Sequence, residues 1–279
     1  MMWSLVTVTY NSAEDLRTYW SNVRLDDTVE WIVVDNGSAD DTVAVAAERG
    51  ARVFRTGRNI GFAAANNIGL EMARGDLILF ANPDLRVQTE DLSELARLLL
   101  LHGGLLSPRL THPNGGYQHN GRGWPFLAWK IGNRLGRRDT DARYLRAVER
   151  EHEHAAVVWI TGAAVAARRE DFEGIGAWDE SYFLYNEDVA LGLRALRGGL
   201  PVGVAGGIEW VHGWSRAPAR WQLKAVAHEL ASTVLFYCRE PFFLLWPATL
   251  WRASVDQRLR RRYGIGLDES EAATQRTAP

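Results

Sequence analysis

An α/β domain built on a mostly parallel sheet is expected of this 279-residue chain on three grounds. Short β-branched or apolar runs alternate with helix-length segments through its first third, the βαβ order of a parallel sheet. Each run stops at Gly, Asn, Asp or Pro, so polar groups collect at one sheet edge, where open α/β folds bind ligands. Finally, 47% of the residues are hydrophobic and 24% charged, the balance of a soluble chain with a substantial core.

The first strand is Trp3 to Thr9, ahead of the turn and N-cap signal Tyr10-Asn11-Ser12 and a helix over Glu14 to Val23. Trp31 to Val34 is a second buried strand, ending in Asp35-Asn36-Gly37-Ser38. Ser38 and Asp41 resemble a capping box for a helix over Asp40 to Arg49, closed by Gly50. Arg52 to Arg55 is the third strand, followed by Gly57-Arg58-Asn59-Ile60-Gly61 and an Ala-rich helix from Ala63 to Arg74. The fourth, Leu77 to Ala81, runs into Asn82-Pro83-Asp84 and so delivers a carboxylate to the sheet edge.

Thr89 caps a helix over Glu90 to Leu101, Leu105 to Pro108 reads as a strand, and Gly115-Gly116 as a hairpin turn before Tyr117-Gln118. Between about 121 and 155 apolar periodicity fades, and the segment reads as a mobile loop or lid that buries little surface. Val157 to Gly162 is a strand running into small residues, Glu187 to Arg197 a helix, and Pro201 to Ala205 and Ile208 to Val211 two short strands, the second ending at His212. Beyond residue 216 two helices are expected, Arg220 to Tyr237 and Pro241 to Arg262, and then a polar tail over 266–279 that reads as disordered.

A net charge of −2 gives no field for nucleic acid. The lone Cys238 excludes an internal disulfide and fits a reducing, cytoplasmic setting. No secretory signal and no apolar span of transmembrane length are read. The second C-terminal helix joins Phe242, Phe243, Trp246 and Trp251 to Arg258, Arg260, Arg261 and Arg262, which suits either the inner face of an anionic membrane or a homodimer contact. Neither a Gly-x-Gly-x-x-Gly after the first strand nor a P-loop is present, which disfavours dinucleotide enzymes and P-loop ATPases.

Three clusters carry chemistry. Asp84 suits Mg²⁺ or Mn²⁺ with phosphate oxygens, although Asn-Pro-Asp is also an ordinary turn. In Trp178-Asp179-Glu180-Ser181-Tyr182-Phe183-Leu184-Tyr185-Asn186-Glu187-Asp188, acids at a helix start are favoured by its dipole. The aromatics ahead of them suit a pocket in which an acid takes a proton from a hydroxylated ring. His212, at a strand end like Asp84, suits an imidazole metal ligand, and Arg216 a diphosphate counter-charge; His152 and His154 read as a solvated patch.

These residues resemble the inverting GT-A glycosyltransferases of family 2. The matching pieces are Val8-Thr9-Tyr10-Asn11-Ser12, Val33-Val34-Asp35-Asn36-Gly37-Ser38, Asn59-Ile60-Gly61-Phe62 with Ala65-Asn66-Asn67-Ile68-Gly69, and Asn82-Pro83-Asp84. Asn82-Pro83-Asp84 and Trp178-Asp179-Glu180 with Tyr185 to Asp188 look most like its rhamnosyltransferases. The resemblance implies a GT-A domain over 1–216 with helices over 217–265. It implies a nucleotide-diphospho-sugar donor, dTDP-L-rhamnose first and a UDP-sugar as alternative, and a glycan or polyprenyl-diphosphate-linked acceptor of cell-envelope polysaccharide synthesis.

By the same resemblance, Thr9, Tyr10, Asn11, Asp35, Asn59, Gly61, Asn66, Asn82 and Arg216 line the donor, and Trp178, Asp179, Glu180 and Tyr185 the acceptor. Asp84 and His212 hold the metal, and Asp188 is the catalytic base with Glu187 beside it. Asn82 departs from the family's Asp-x-Asp by removing its first acid. Two other readings stay open: a nucleotidyltransferase, which wants a basic Gly-rich loop where Tyr10-Asn11-Ser12-Ala13 stands, and a non-catalytic nucleotide-sugar-binding protein.

Overall fold

The computed structural model describes residues 1–21, 23, 25–136, 143–214, 219–244 and 252–266. It opens with β1 (Trp3–Thr9), α1 (Ala13–Tyr19), β2 (Val29–Asp35), α2 (Thr42–Glu48), β3 (Arg52–Arg55), α3 (Phe62–Met72) and β4 (Leu77–Ala81). After β5 (Leu85–Arg86) and α4 (Leu92–His102) come β6 (Leu105–Thr111), β7 (Tyr117–Gln118), β8 (Gly121–Arg122) and α5 (Leu127–Arg134). Next are β9 (Ala155–Ala156), β10 (Trp159–Ile160), β11 (Ala164–Arg168), α6 (Arg169–Gly174), α7 (Glu187–Arg197) and β12 (Val202–His212). The chain continues through α8 (Ala219–Arg239), a 3₁₀ turn at Pro241–Leu244 and α9 (Arg252–Tyr263).

The main sheet has the order β3-β2-β1-β4-β11-β6-β12-β5. From β3 to β4 all pairs are parallel; β11 then runs antiparallel to both β4 and β6, and β12 returns parallel to β6. The strand order reverses between β1 and β4, so their carboxyl ends border the crevice in which such sheets bind ligands. Side chains alternate between two cores: Val6, Ile32, Val34, Ile78 and Phe80 face one way, and Leu5, Trp31, Val33, Leu77 and Leu79 the other. Helix α3 lies close over β1 because residue 69 is Gly: a Cβ there would come within 2.2 Å of Val6 Cγ1.

Several local expectations are corrected. Ser38 does not cap α2; Asp41 is the N-cap residue, and Ser38 Oγ accepts the Asn11 N–H at 2.9 Å, joining two loops. Thr89 to Asp91 form a 3₁₀ turn before α4. The two late strands are one, β12, whose register against β6 shifts between Ala205 and Glu209. Pro241 to Arg262 is not one helix, since Pro241–Leu244 is a 3₁₀ turn and α9 starts at Arg252; Trp246 and Trp251 lie outside the described residues, as do all residues of the tail beyond 266.

The largest correction concerns 121–155. Its described part buries Trp124, Phe126, Trp129, Tyr144 and Val148 in the main core. Their partners are remote in sequence: Phe126 packs edge-on against Phe243 at 5.3 Å between ring centres, and Trp124 Nε1 donates to Gly266 O at 3.2 Å. Aromatics that pack on distant segments leave no local period to read. His154 is not solvated either. Its ring stacks on His102 at 4.4 Å, and burial with that neighbour pushes its pKa down to about 4. Among the described residues no helix is long and apolar enough to cross a membrane.

Candidate active site

The carboxyl ends of β1 and β2 form the first wall. Thr9 and Asp35 are register partners, both fully buried, and Thr9 Oγ1 donates to Asp35 Oδ1 at 3.4 Å. The Ser38 N–H donates to both Asp35 oxygens at 3.3 and 3.2 Å, which fixes the carboxylate at the crevice. Asn11, at φ 54°, accepts the Ala39 N–H at 2.8 Å, while the Tyr10 ring stands partly exposed. Asn36, not among the expected site residues, organises the second loop. Its Nδ2 donates to Asn59 Oδ1 at 3.0 Å and to Gly61 O at 3.2 Å, and its Oδ1 accepts the Ile60 N–H at 2.9 Å.

Gly61 sits at φ 96°, where a Cβ would come within 2.7 Å of Phe183 O. That contact lets the Phe62 N–H donate to Phe183 O at 2.8 Å and ties the Asn59–Gly61 loop to the segment before α7. Asn66, buried on α3, has no partner for Nδ2 among the described residues.

The second wall joins the end of β4 to the end of β12. β5 pairs His212 with Leu85, and this brings His212 Nε2 to 3.2 Å from Asp84 Oδ1, both side chains buried. Gln118 on β7 sets the ring. Its Nε2 donates to His212 O at 2.8 Å, so its Oε1 faces His212 Nδ1, also at 2.8 Å, as an acceptor. Nδ1 therefore carries the proton, and in a neutral imidazole Nε2 turns a lone pair toward Asp84. A lone pair there is satisfied by a cation shared with Asp84 or by a proton on Nε2 that Asp84 accepts, and an outer partner on the far ring nitrogen is how metal-binding histidines are oriented. Among the described residues no third His, Cys, Asp or Glu joins them. The donor set thus fits a hard cation that completes its shell with substrate oxygens, as Mg²⁺ does.

The third group lies at the start of α7. Tyr185 and Asn186 both hold left-handed backbone, φ 69° and 66°, and turn the chain sharply into the helix. Glu187 is buried with Oε2 unpartnered, and burial, then the charge of Asp188, holds its carboxyl well above the usual range. Burial also raises Asp188, opposed by hydrogen bonds from the Val189 N–H at 2.8 Å and the Gly162 N–H at 3.3 Å and by the charges of Lys130 and Arg122. Lys130 Nζ donates to Asn186 Oδ1 at 3.0 Å, and Asn186 Nδ2 to Thr233 Oγ1 at 3.3 Å.

The second and third groups meet at the two residues just ahead of β11. The Asn82 N–H donates to Ala163 O at 2.9 Å, and the neighbouring Gly162 N–H reaches Asp188. Trp178 is buried edge-on against Phe62 and Phe80, and its backbone is clasped by Asn67, with bonds of 3.0 and 2.9 Å. Glu180 Oε1 accepts from Asn67 Nδ2 at 2.8 Å, and Asp179 pairs with Arg239 at 2.8 Å, so these acids hold the loop to α3 and α8. Tyr185 is the aromatic of this stretch left exposed beside the acids. Arg216 lies outside the described residues. Gln118, Lys130 and Gly162 belong to no local pattern that marks a site, and Asn36 shows in the sequence only as part of the Val33-Val34-Asp35-Asn36-Gly37-Ser38 motif.

Residues 4–156 match the model of the family described as Glycosyl transferase family 2. The chain is 27% identical over 272 residues to an N-acetylglucosaminyl-diphospho-decaprenol L-rhamnosyltransferase of Mycobacterium tuberculosis, covering 79% of this chain and 88% of that protein. It is 26% identical over 215 residues to a low-salt glycan biosynthesis hexosyltransferase of Haloferax volcanii, covering 75% of this chain and 66% of the relative. Among solved structures, a Pyrobaculum calidifontis mannosyltransferase in complex with GDP-Man and Mn²⁺ superposes with a TM-score of 0.57 at 16% identity, over 83% of this chain and 64% of that one. S. aureus TarS in complex with UDP-GlcNAc gives 0.54 at 17%, over 78% and 60%. The chain therefore spans somewhat less than two thirds of these solved chains, and the likeness to them is one of fold. That fold is GT-A.

Proposed function

The chain belongs to glycosyl transferase family 2, and on that premise we propose that it moves L-rhamnose from dTDP-L-rhamnose to a hydroxyl of a polyprenyl-diphosphate-linked glycan, with inversion at the anomeric carbon. The mycobacterial relative, aligned over most of both chains, supports L-rhamnose as the sugar moved and the lipid-linked acceptor. One observation carries the mechanism: adjacent residues of one strand entry, Gly162 and Ala163, bond to Asp188 and to Asn82. Asp188 and, two residues past Asn82, Asp84 thus flank one short backbone segment, which supports reading the first as the base and the second as a metal ligand in a displacement.

Asp188 Oδ accepts the proton of the acceptor hydroxyl as that oxygen bonds to the anomeric carbon. The bond from this carbon to the diphosphate oxygen breaks on the opposite face, and the nucleoside diphosphate leaves with the electron pair. Thr9, Asp35, Asn59 and Gly61 hold the nucleotide and sugar, with Tyr10, Asn11, Asn66 and Asn82 around the donor; Arg216, assigned to the diphosphate from sequence, lies outside the described residues. Tyr185 borders the acceptor with Trp178, Asp179 and Glu180 behind it. Asp84 and His212 would hold Mg²⁺ or Mn²⁺, which supplies positive charge against the departing diphosphate.

The test is transfer from dTDP-L-rhamnose or UDP-sugars to a short-chain N-acetylglucosaminyl-diphospho-prenol, with the new anomeric configuration read by NMR. Transfer from UDP-sugars alone replaces the donor, and retained configuration overturns the single displacement. Asp188→Asn is expected to lower kcat by about 10²- to 10⁴-fold with donor affinity intact; near-normal turnover would remove Asp188 as base.

A further inference from the structure

We infer that the outer face of the α5–α8 helix pair docks on an anionic lipid bilayer, beside the catalytic acids. This deepens the lipid-linked acceptor reading, but the surface is read from the helices themselves. α5 runs antiparallel to the second half of α8: Tyr237 Oη donates to Pro125 O at 2.9 Å near the end of α8, and Arg134 pairs with Glu229 at 3.0 Å near its middle. The inner face of α8 supports the site, since Ser232 Oγ donates to Leu184 O at 2.7 Å and Thr233 bonds Asn186.

The outer face does the opposite of what a solvated helix does. Val226, Ala227, Leu230, Ala231, Val234 and Cys238 recur at i, i+4 and i+1 spacing, all are exposed, and none is charged. Leu230 is 65% exposed, and Ile131 and Leu135 on α5 add 50% and 73%. A continuous apolar stripe of this length marks an interaction surface.

Charge selects the occupant. Pro241 and Phe242, just past α8, wall a groove shared with Arg258, Arg261 and Arg262 of α9. Arg262 is paired with Glu240, whereas Arg258 and Arg261 are exposed and have no ion-pair partner among the described residues. An apolar helical face plus exposed guanidinium groups is the two-signal chemistry of a peripheral membrane surface: hydrocarbon for the stripe, phosphate for the arginines.

Flotation of the full chain with vesicles, in the absence of any substrate, tests this. Wild type is expected to float with phosphatidylcholine–phosphatidylglycerol vesicles and much less with phosphatidylcholine alone. Arg258→Gln with Arg261→Gln should weaken vesicle affinity by about thirtyfold, roughly fivefold per surface arginine. Leu230→Glu with Val234→Glu should abolish flotation while leaving the thermal transition and transfer to a water-soluble acceptor unchanged. Failure of wild type to float overturns the inference. So does flotation that survives Leu230→Glu with Val234→Glu, or a wild-type dimer that these changes convert to a monomer, because a second copy then covers the stripe. Flotation without transfer to any acceptor would sink the catalytic reading and leave the surface standing.

Discussion

At the scale of single residues, the candidate site is governed by two adjacent acids with different surroundings, Glu187 buried and Asp188 half-buried. Asp188 has two backbone donors and two nearby cations; Glu187 has an orphan oxygen beside another acid. Only ionised Asp188 can take a proton, and its pKa is raised. The acid limb of the kcat profile is therefore expected above the ordinary carboxylate range, with macroscopic values that belong to the pair. Lys130→Met removes a cation that favours the carboxylate, so this limb should move to higher pH; a pH–rate profile that stays put would free Lys130 of that role. For Glu187 the consequence is one of stability. A folded-state pKa raised above the unfolded one gives stability that is full below the unfolded value and lost as pH rises through the folded one. Glu187→Gln, which keeps the shape without the charge, should unfold later than wild type at neutral and alkaline pH, by about 1–3 kcal/mol. The gap should close below about pH 4, near the unfolded carboxyl pKa. Urea titrations at both pH values would measure it.

At the scale of elements, what could be read from sequence was whatever a local pattern encodes. Helix α7 has the bounds that its acids and Gly198 announce, Glu187–Arg197, and β1, β3 and β4 follow from their apolar runs. The convergence of Asp84 and His212 was legible because both end strands, and strand ends meet at one sheet edge. What escaped depends on contacts between distant segments. Gln118 lies on a two-residue strand and touches His212 only because β7 folds back on β6. Lys130 lies in a stretch whose helix is short and whose buried aromatics pack on the C-terminal helices. Gln118→Leu keeps the bulk but removes the acceptor that fixes the His212 ring. The Mn²⁺ concentration for half-maximal transfer should then rise about 10- to 100-fold, with a smaller change in kcat at saturating Mn²⁺. A metal titration unaffected by Gln118→Leu would argue that the ring is set otherwise.

For the whole molecule, the C-terminal helices are structural members of the catalytic unit. Phe236, Tyr237, Phe243, Val255, Leu259 and Tyr263 belong to the same core as Val6, Phe80 and Val165 of the sheet. Phe243 is the keystone. It is fully buried, and its ring lies 5.3 Å from Phe126 and 6.1 Å from both Trp124 and Tyr263, so one side chain joins the 3₁₀ turn, the segment before α5 and α9. Phe243→Ala leaves a cavity where three elements meet, and truncations of this kind cost about 3–5 kcal/mol. Because α5 carries Lys130, and Lys130 holds Asn186 beside the acids, the same loss should reach the chemistry. The expected result is one cooperative urea transition at a lower midpoint, together with an acid limb of kcat displaced in the same direction as in Lys130→Met. Two separate transitions would instead mean that the C-terminal helices fold as a unit of their own. An unchanged acid limb would mean that α5 keeps its place without Phe243.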